Sequence, residues 1–564
     1  MGGILGARRG RGTAALVILL GVAGAALLSC RCTAPATATV HLPRAASAAD
    51  AFTHLRGAGG PTGVVLLEDN ALAWAARWSL VSTAQERIEL GTFIYDDDVF
   101  GRALLGALLW RAMAGVRVRL LIDGRGSLAL STPGLGRDEL SAIVATGGGR
   151  IDVHVYNPPW NQALAALLSL DATAVSAGSH NKLLVIDDAF AIVGGRNVTA
   201  HSFLTLAEDP GAVRDADVLL DGPVPIAAIA RIFAREFRSA RDDGVDGDRC
   251  GAHGRAQELL LLAAAMDVWV RGQVPLPDDE RAPTLAEHGT MLAALAAQRL
   301  GVVVEQAEPG TRLQQDLEQL VRFRSVWSIL PVRWPPRLPA TARVSSTPSR
   351  PRIDEDDDAN DALLRAIAGA RDSIVLETPS FILGPSLLLA LQAAGARGVD
   401  ITVLTNGPRS SDSRFAQALF IDSWPELVAR IPRLRIFAAR APQMQHGKRI
   451  VVDEALAFVG TFNLDPFSTQ MNSETVVAMW SPALASSIRA TLRARRTEMD
   501  EYRIARHADG RARRHPPGTA RAGGVIVEFG PRDQVDAAEI ERIERTKAFL
   551  LAIRPLYDFD ALIW

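Results

Sequence analysis

Cysteine is scarce in this chain: Cys30, Cys32 and Cys250 are the only three among 564 residues, so a disulfide framework does not hold the fold together. An excess of one charge is also missing. Lys and Arg number 61 against 63 Asp and Glu, a formal net charge of -2. That balance excludes a global basic surplus of the kind that drives non-specific nucleic-acid binding, though not a local basic groove. Aromatic residues make up only 6%, too few to advertise base-stacking platforms. After residue 30 no apolar run is long enough to span a bilayer, and the stretch 259–266 is far too short. What the chain does have is length and 48% hydrophobic content, enough for a large core and for two domains.

The N-terminus has the layout of a secretory leader: Arg8, Arg9 and Arg11 precede an apolar run over 13–28. It ends in Leu27-Leu28-Ser29-Cys30, which resembles a bacterial lipoprotein cleavage box with Cys30 as the lipid-bearing residue. The expectation is a lipoprotein-type signal peptide over 1–29. An uncleaved signal anchor and plain secretion are the alternatives, and all three place the globular part outside the cytoplasm of a bacterium. A twin-arginine reading of Arg8-Arg9 fits poorly. Residues 30–60, rich in Ala, Thr and Pro, read as a tether.

From residue 70 the hydrophobic pattern becomes regular. Helix over 71–84, strand over 87–94, helix over 102–114 and strand over 116–122 suggest a parallel βαβ unit with a right-handed crossover. Residues 151–155 add a strand. The same order returns in helices over 360–370 and 384–394 and in strands over 372–377, 399–404 and 434–437. A period of about 270 residues is too long for a solenoid and indicates duplicated domains. The expected division is a first lobe over 61–240, a connector or lid-like insertion over 241–340, a second lobe over 341–505, and a basic loop with an apolar tail over 506–564. That tail could pack on the core or lie at a lipid surface.

Each half carries one motif. The first is Ser179-His180-Asn181-Lys182, then Leu-Leu-Val-Ile and Asp187, then Gly194-Gly195-Arg196-Asn197. The second is Gln445-His446-Gly447-Lys448, then Arg-Ile-Val-Val and Asp453, then Gly460-Thr461-Phe462-Asn463. Counted from the histidine, the Lys, Asp, Gly and Asn fall at offsets of 2, 7, 14 and 17 in both halves. Either motif alone would pass for an edge-strand face; the matched pair does not. Residues two apart on a strand share a face, so His180 projects with Lys182 and His446 with Lys448. A hairpin then returns the glycines and Asn197 or Asn463 toward them, where glycine permits close backbone approach to a ligand.

Two such hairpins meeting about a pseudo-twofold axis put two imidazoles, two ammoniums and two amides around one anion, which suits a phosphate diester. Lys182, Lys448, Asn197 and Asn463 can neutralise and hydrogen-bond the non-bridging oxygens. One histidine attacks phosphorus and the other protonates the departing oxygen. The lysines do the neutralising, so neither a metal nor a cofactor is expected, and a lysine beside each histidine is poor company for a metal cation.

These motifs, with FIYDDDVFGRALLGALLWRAMAGVRVRLLIDG, HNKLLVIDDAFAIVGGRNV and GTFNLDPFSTQMNSE, resemble the phospholipase D superfamily and are similar to its bacterial cardiolipin synthase branch. The resemblance covers about residues 64–240 and 340–480. It implies an α/β fold of two duplicated α-β-α lobes with the active site at their interface. It implies His180 as nucleophile, His446 as general acid and a carboxylate orienting each. Glu474 matches that position in the second half; Asp215 or Asp217 does so in the first, with Asp215 preferred. Asp187 and Asp453 complete the catalytic motifs, more as holders of the hairpins than as direct participants. Gly195 and Thr461 stand where the superfamily often has serine, so at Gly195 phosphate contact would have to come from backbone.

The remaining histidines, including His154 and His201, read as surface or core residues. Asp96-Asp97-Asp98 and the acidic run 355–358 read as solvated loop and helix-start charges. Cys250 reads as a lone thiol. The leading functional expectation is a phosphatidyltransferase acting on membrane phospholipids, phosphatidylglycerol foremost and phosphatidylethanolamine as a second candidate. Hydrolytic phospholipase D and an exported nuclease are the alternatives within the superfamily, and a non-catalytic lipid-binding lipoprotein is the alternative outside enzymes. Nucleic acid is not the expected partner.

Overall fold

A computed structural model describes residues 42–132, 136–158, 177–240, 243–247, 252–301, 311–349, 358–411, 413–440, 442–519 and 521–553. The N-terminal segment with Cys30 and Cys32, Cys250, the acidic residues 355–357 and the apolar segment after 553 lie outside them. No helix among the described residues is long and apolar enough to cross a membrane.

The described strands join in one sheet. The first half supplies β1 (Gly60–Leu67), β2 (Arg87–Thr92), β3 (Arg117–Asp123), β4 (Ile151–Tyr156), β5 (Leu183–Ile186), β6 (Phe190–Gly194) and β7 (Asp217–Leu220). The second half supplies β8 (Leu338–Thr347), β9 (Ser373–Glu377), β10 (Asp400–Thr405), β11 (Leu434–Ala439), β12 (Arg449–Val452), β13 (Leu456–Gly460) and β14 (Glu474–Trp480). Outward from the centre one half runs β1-β7-β6-β5-β2-β3-β4 and the other β8-β14-β13-β12-β9-β10-β11, extended by β15 (Met499–Ile504) and β16 (Val527–Phe529). The two identical orders meet where β1 pairs antiparallel with β8, Val64 opposite Leu338. That seam is the pseudo-twofold expected from the duplicated pattern. The β2-β3-β4 and β9-β10-β11 ladders are parallel, and the motif hairpins β5-β6 and β12-β13 antiparallel.

Apolar side chains continue across the seam on one face, where Val64, Val193 and Val218 join Val459, Val477 and Met479 in one cluster. Fully burying a side chain of that kind contributes about 1.5–3 kcal/mol, so the halves are bound by core rather than by a linker. Arg449 adds a charged tie. It is fully buried between Glu377 of its own half, 2.6 Å away, and Glu68 of the other.

Two expected boundaries need correction. The segment 30–60 is not all tether: Ala48–Thr53 forms a helix with Ser47 accepting the Asp50 N–H at 3.1 Å. Its Ala48 and Phe52 pack into the second half's core beside Ala362 and Ile367 of the helix Asp358–Gly369. Nor is 241–340 a lid. Its helices Ala252–Val270, Ala282–Leu300 and Arg312–Leu320 bury their apolar faces in the core of the first lobe. A side chain at Gly106, in the helix Val99–Met113, would place its Cβ 1.9 Å from the Leu259 carbonyl oxygen. Glycine therefore allows the insertion to lie directly on that helix.

At the far end, Ile543 and Leu550 of the helix Ala537–Ile553 pack on Ala418 and Ile421 of the helix Arg414–Arg430. In the basic stretch 511–514, Arg514 pairs with Glu426 at 2.6 Å.

Candidate active site

The backbone brings each histidine to the opposite half. His180 and Lys182 lie just ahead of β5, in an extended lead-in rather than in the strand. There the His180 N–H donates to the Ser473 carbonyl at 3.2 Å, and the Ser473 N–H to the Gly178 carbonyl at 2.9 Å. In the other half the His446 N–H donates to the Arg214 carbonyl at 2.6 Å and the Arg214 N–H to the Met444 carbonyl at 2.8 Å. Ser473 and Arg214 immediately precede Glu474 and Asp215. The carboxylates consequently cross between lobes. Glu474 Oε1 lies 2.8 Å from His180 Nδ1, and Asp215 Oδ2 lies 2.5 Å from His446 Nδ1. Both carboxylates are fully buried. Neither motif histidine takes its carboxylate partner from its own half.

The ends of the third strand in each half hold the residue before the histidine. The Ser179 N–H donates to Asp123 Oδ2 at 2.8 Å, and the Gln445 N–H donates to Asn406 Oδ1 at 2.8 Å. Asp123 and Asn406 are positioning residues that motif reading passes over. The signal was the repeated Asp123-Gly124 and Asn406-Gly407 at equivalent strand ends. Ser468 is another: its hydroxyl donates to Glu474 Oε1 at 2.6 Å.

Charge is concentrated in this cluster. Lys182 Nζ donates to the His180 carbonyl at 2.7 Å and Lys448 Nζ to the His446 carbonyl at 2.6 Å. Burial, with Lys182, Lys448 and His446 nearby, holds His180 well below the usual imidazole range. Burial also draws Lys182 down to about 7, opposed by Glu474. Glu474 is pushed up to about 8 by burial, against Lys182, Ser468 and Thr461. Asp215 goes the other way. Burial works to raise it, but His446 and Lys448 outweigh that and keep it below the ordinary carboxylate range. Phe93 closes the His180 side, edge-on to the imidazole at 4.8 Å, with Lys182 Nζ 5.3 Å from its ring centre.

The other expected site residues divide. Asp187 and Asp453 are at the far ends of the hairpins, away from the histidines. Asp187 accepts the N–H groups of Gln85, Glu86 and Arg87 at 2.7–2.8 Å, and Asp453 those of Arg371, Asp372 and Ser373 at 2.9–3.2 Å. They cap the start of β2 and β9. Asp217 serves the buried guanidinium groups of Arg77 and Arg196, at 2.9 and 3.0 Å, which leaves Asp215 for histidine.

Gly195 and Thr461 correct the expectation of phosphate contact. The Gly195 N–H donates to the Ala216 carbonyl at 3.2 Å, and the Thr461 hydroxyl donates to Glu474 Oε2 at 2.5 Å. A Cβ on Gly195 would lie 2.1 Å from Asp215 Oδ1. The glycine admits a carboxylate rather than a ligand. Asn197 accepts the Ile94 N–H at 3.0 Å through Oδ1, so its Nδ2 remains the donor to offer. Asn463 bonds Asp465 instead, and its Oδ1 is buried without a partner among the described residues.

A single sheet built from two copies of one lobe, with a His–Lys pair from each copy meeting at the join, defines a phospholipase D-type enzyme of the phosphodiesterase and phosphatidyltransferase class. Residues 78–239 and 363–495 match the family described as "Cardiolipin synthase, PLD-like domain", and the chain belongs to it. It is 25% identical to cardiolipin synthase C of Escherichia coli K12 over 449 residues, 76% of this chain and 84% of that one. It is 24% identical to an uncharacterised protein of Helicobacter pylori J99 over 448 residues, 76% of this chain and 78% of the other. Among solved structures, phosphatidylserine synthase of Haemophilus influenzae superposes with a TM-score of 0.56 at 10% identity, over 92% of this chain and 99% of that chain. This last likeness is one of fold.

Proposed function

We propose that this protein transfers a phosphatidyl group from one membrane phospholipid to a hydroxyl of another, through a phosphohistidine at His180, giving cardiolipin or a related lipid. The observation that carries the reading is the asymmetry of the crossed pairs. His180 is held neutral, while an ionised Asp215 accompanies His446. A neutral imidazole suits a nucleophile, and an imidazole beside a firmly ionised carboxylate suits an acid.

With Glu474 ionised and accepting the Nδ1 proton, His180 Nε2 has a free lone pair. It attacks phosphorus; the bond to the departing oxygen breaks, and His446 gives that oxygen its proton. Lys182, Lys448 and Asn197 take up charge on the non-bridging oxygens. In the second half the acceptor hydroxyl attacks phosphorus and loses its proton to His446, and the P–N bond breaks to restore His180.

The lipid reading draws support from the similarity to cardiolipin synthases and from the absence of a basic surplus. A leader ending at Cys30 supports an exported, lipid-anchored protein whose site is held near a bilayer, where substrate is locally concentrated. The test uses detergent-solubilised protein with phosphatidylglycerol, with and without phosphatidylethanolamine, products read by mass spectrometry and His180→Ala as control. Cardiolipin formed by wild type alone is expected. Phosphatidic acid alone would make the protein a hydrolase, and no lipid turnover would overturn the reading.

A further inference from the structure

A cleft of about 710 Å³ lies between the turn after β10 and the helix Ala537–Ile553. Pro408, Arg409 and Arg414 line one side, and Asp536, Glu539 and Arg542 the other. Its volume is in the range of a small-ligand site. Its walls are continuous with the chain that carries His446. The turn begins at Asn406, which holds Gln445, and Pro442 in the cleft wall is on the chain leading into His446. The matching turn of the first lobe carries Arg125, whose guanidinium lies 5.5 Å from the Phe93 ring beside His180.

Among the described residues lining the cleft, Arg409, Arg414 and Arg542 outnumber Asp536 and Glu539. Glu539 is occupied by Arg542 at 2.5 Å, and Asp536 accepts the Glu539 N–H at 2.9 Å at the start of the helix. Arg409 and Arg414 are both exposed and have no ion-pair or hydrogen-bond partner among the described residues. Two guanidinium groups facing one cleft suit a phosphodiester, whose oxygens match their paired N–H geometry.

In-line displacement decides what would bring such a group here. With His180 attacking one side of phosphorus, the leaving oxygen departs on the His446 side, and by microscopic reversibility the acceptor hydroxyl enters there. An acceptor that is itself a phospholipid carries a second phosphodiester one headgroup away from its hydroxyl. We propose that Arg409 and Arg414 bind this second phosphodiester, making the cleft an acceptor site for an anionic phospholipid with a free headgroup hydroxyl. This rests on the transferase reading and adds to it a reason why such a lipid outcompetes water or a free polyol.

The test gives the full-chain protein phosphatidylglycerol and deuterated glycerol together and measures the ratio of cardiolipin to deuterated phosphatidylglycerol. Loss of charged hydrogen bonds in Arg409→Gln/Arg414→Gln is expected to lower that ratio at least about tenfold, and Arg409→Lys/Arg414→Lys to restore part of it. An unchanged ratio overturns the proposal. Calorimetry with the soluble headgroup sn-glycero-3-phosphoglycerol gives an arm that needs no turnover. At least about tenfold weaker binding to the glutamine variant is expected, and equal affinity overturns the site even where lipid transfer itself fails. Inorganic phosphate competing as tightly as glycerophosphoglycerol would mark a free-phosphate site and overturn the lipid assignment.

Discussion

Glu474 Oε1 is 2.8 Å from the Nδ1 of His180, a residue 294 positions away in the opposite lobe. Asp215 answers it by reaching His446. The active site is therefore a property of the duplicated sheet as a whole, and each carboxylate should fail together with the histidine it touches rather than with the one in its own lobe.

Leaving-group chemistry separates the two pairs. From a p-nitrophenyl donor the phenolate departs without protonation, so the damage of His446→Ala and Asp215→Asn to kcat/KM for p-nitrophenol release, which reports the first half-reaction, should shrink by about 10²-fold, within the usual contribution of a general acid. His180→Ala and Glu474→Gln should gain no such relief. Relief in the second pair instead would reverse the roles of the histidines.

The dependence on pH has a definite sign. Glu474 must be ionised to accept the Nδ1 proton of His180, so its elevation to about 8 costs activity as pH falls below that value. Lys182 must be charged to hold phosphate, so its descent to about 7 costs activity as pH rises above it. The two limbs overlap in a narrow bell with its maximum between 7 and 8. Glu474→Gln should remove the acid limb. A flat kcat/KM from about pH 6 to about pH 9 would contradict this assignment.

Gly195→Ala probes the packing of the carboxylate. The added Cβ would lie 2.1 Å from Asp215 Oδ1, so Asp215 must shift from His446 or β6 must move. A loss of about 1–3 kcal/mol in denaturant stability is expected from overpacking. Activity should fall about 10²-fold from misplacement of the acid. Wild-type activity would mean that the glycine is dispensable to the pair.

Asp187 and Asp453 are placed for stability rather than turnover. Asp187→Ala leaves three backbone N–H groups without their acceptor, and about 1–3 kcal/mol should be lost. Asp187→Asn, which keeps one acceptor oxygen and tolerates the positive φ of 51°, should lose less. In both, kcat/KM of the folded protein should stay within about threefold of wild type; a large fall without destabilisation would return Asp187 to the chemistry.

The parts of this site that depend on local spacing are legible in the sequence. His180 and Lys182 repeat as His446 and Lys448 at the same offsets, and the strands and helices around them recur in the same order. What depends on how the lobes meet is not legible. No periodicity says that Glu474 will serve His180, because that follows from β1 pairing with β8. The role of Gly195 is hidden by a pairing within the first lobe, where β7 lies beside β6 and brings Asp215 alongside it. The helix Ala48–Thr53 escapes notice because six residues in an Ala- and Thr-rich stretch carry little pattern, and its stability comes from packing on the second lobe. The insertion reads as a connector because the surface it covers belongs to a helix some 150 residues upstream (a long-range match beyond any local window).

The most direct test of the central claim is to trap the covalent intermediate. Short-chain phosphatidylglycerol would be mixed with wild type and with His446→Ala, quenched in alkali to preserve phosphohistidine, and mapped by peptide mass spectrometry. The phosphatidyl adduct is expected on His180 in both proteins. An adduct on His446 in wild type, or turnover by His180→Ala at the wild-type rate, would contradict the two-histidine account.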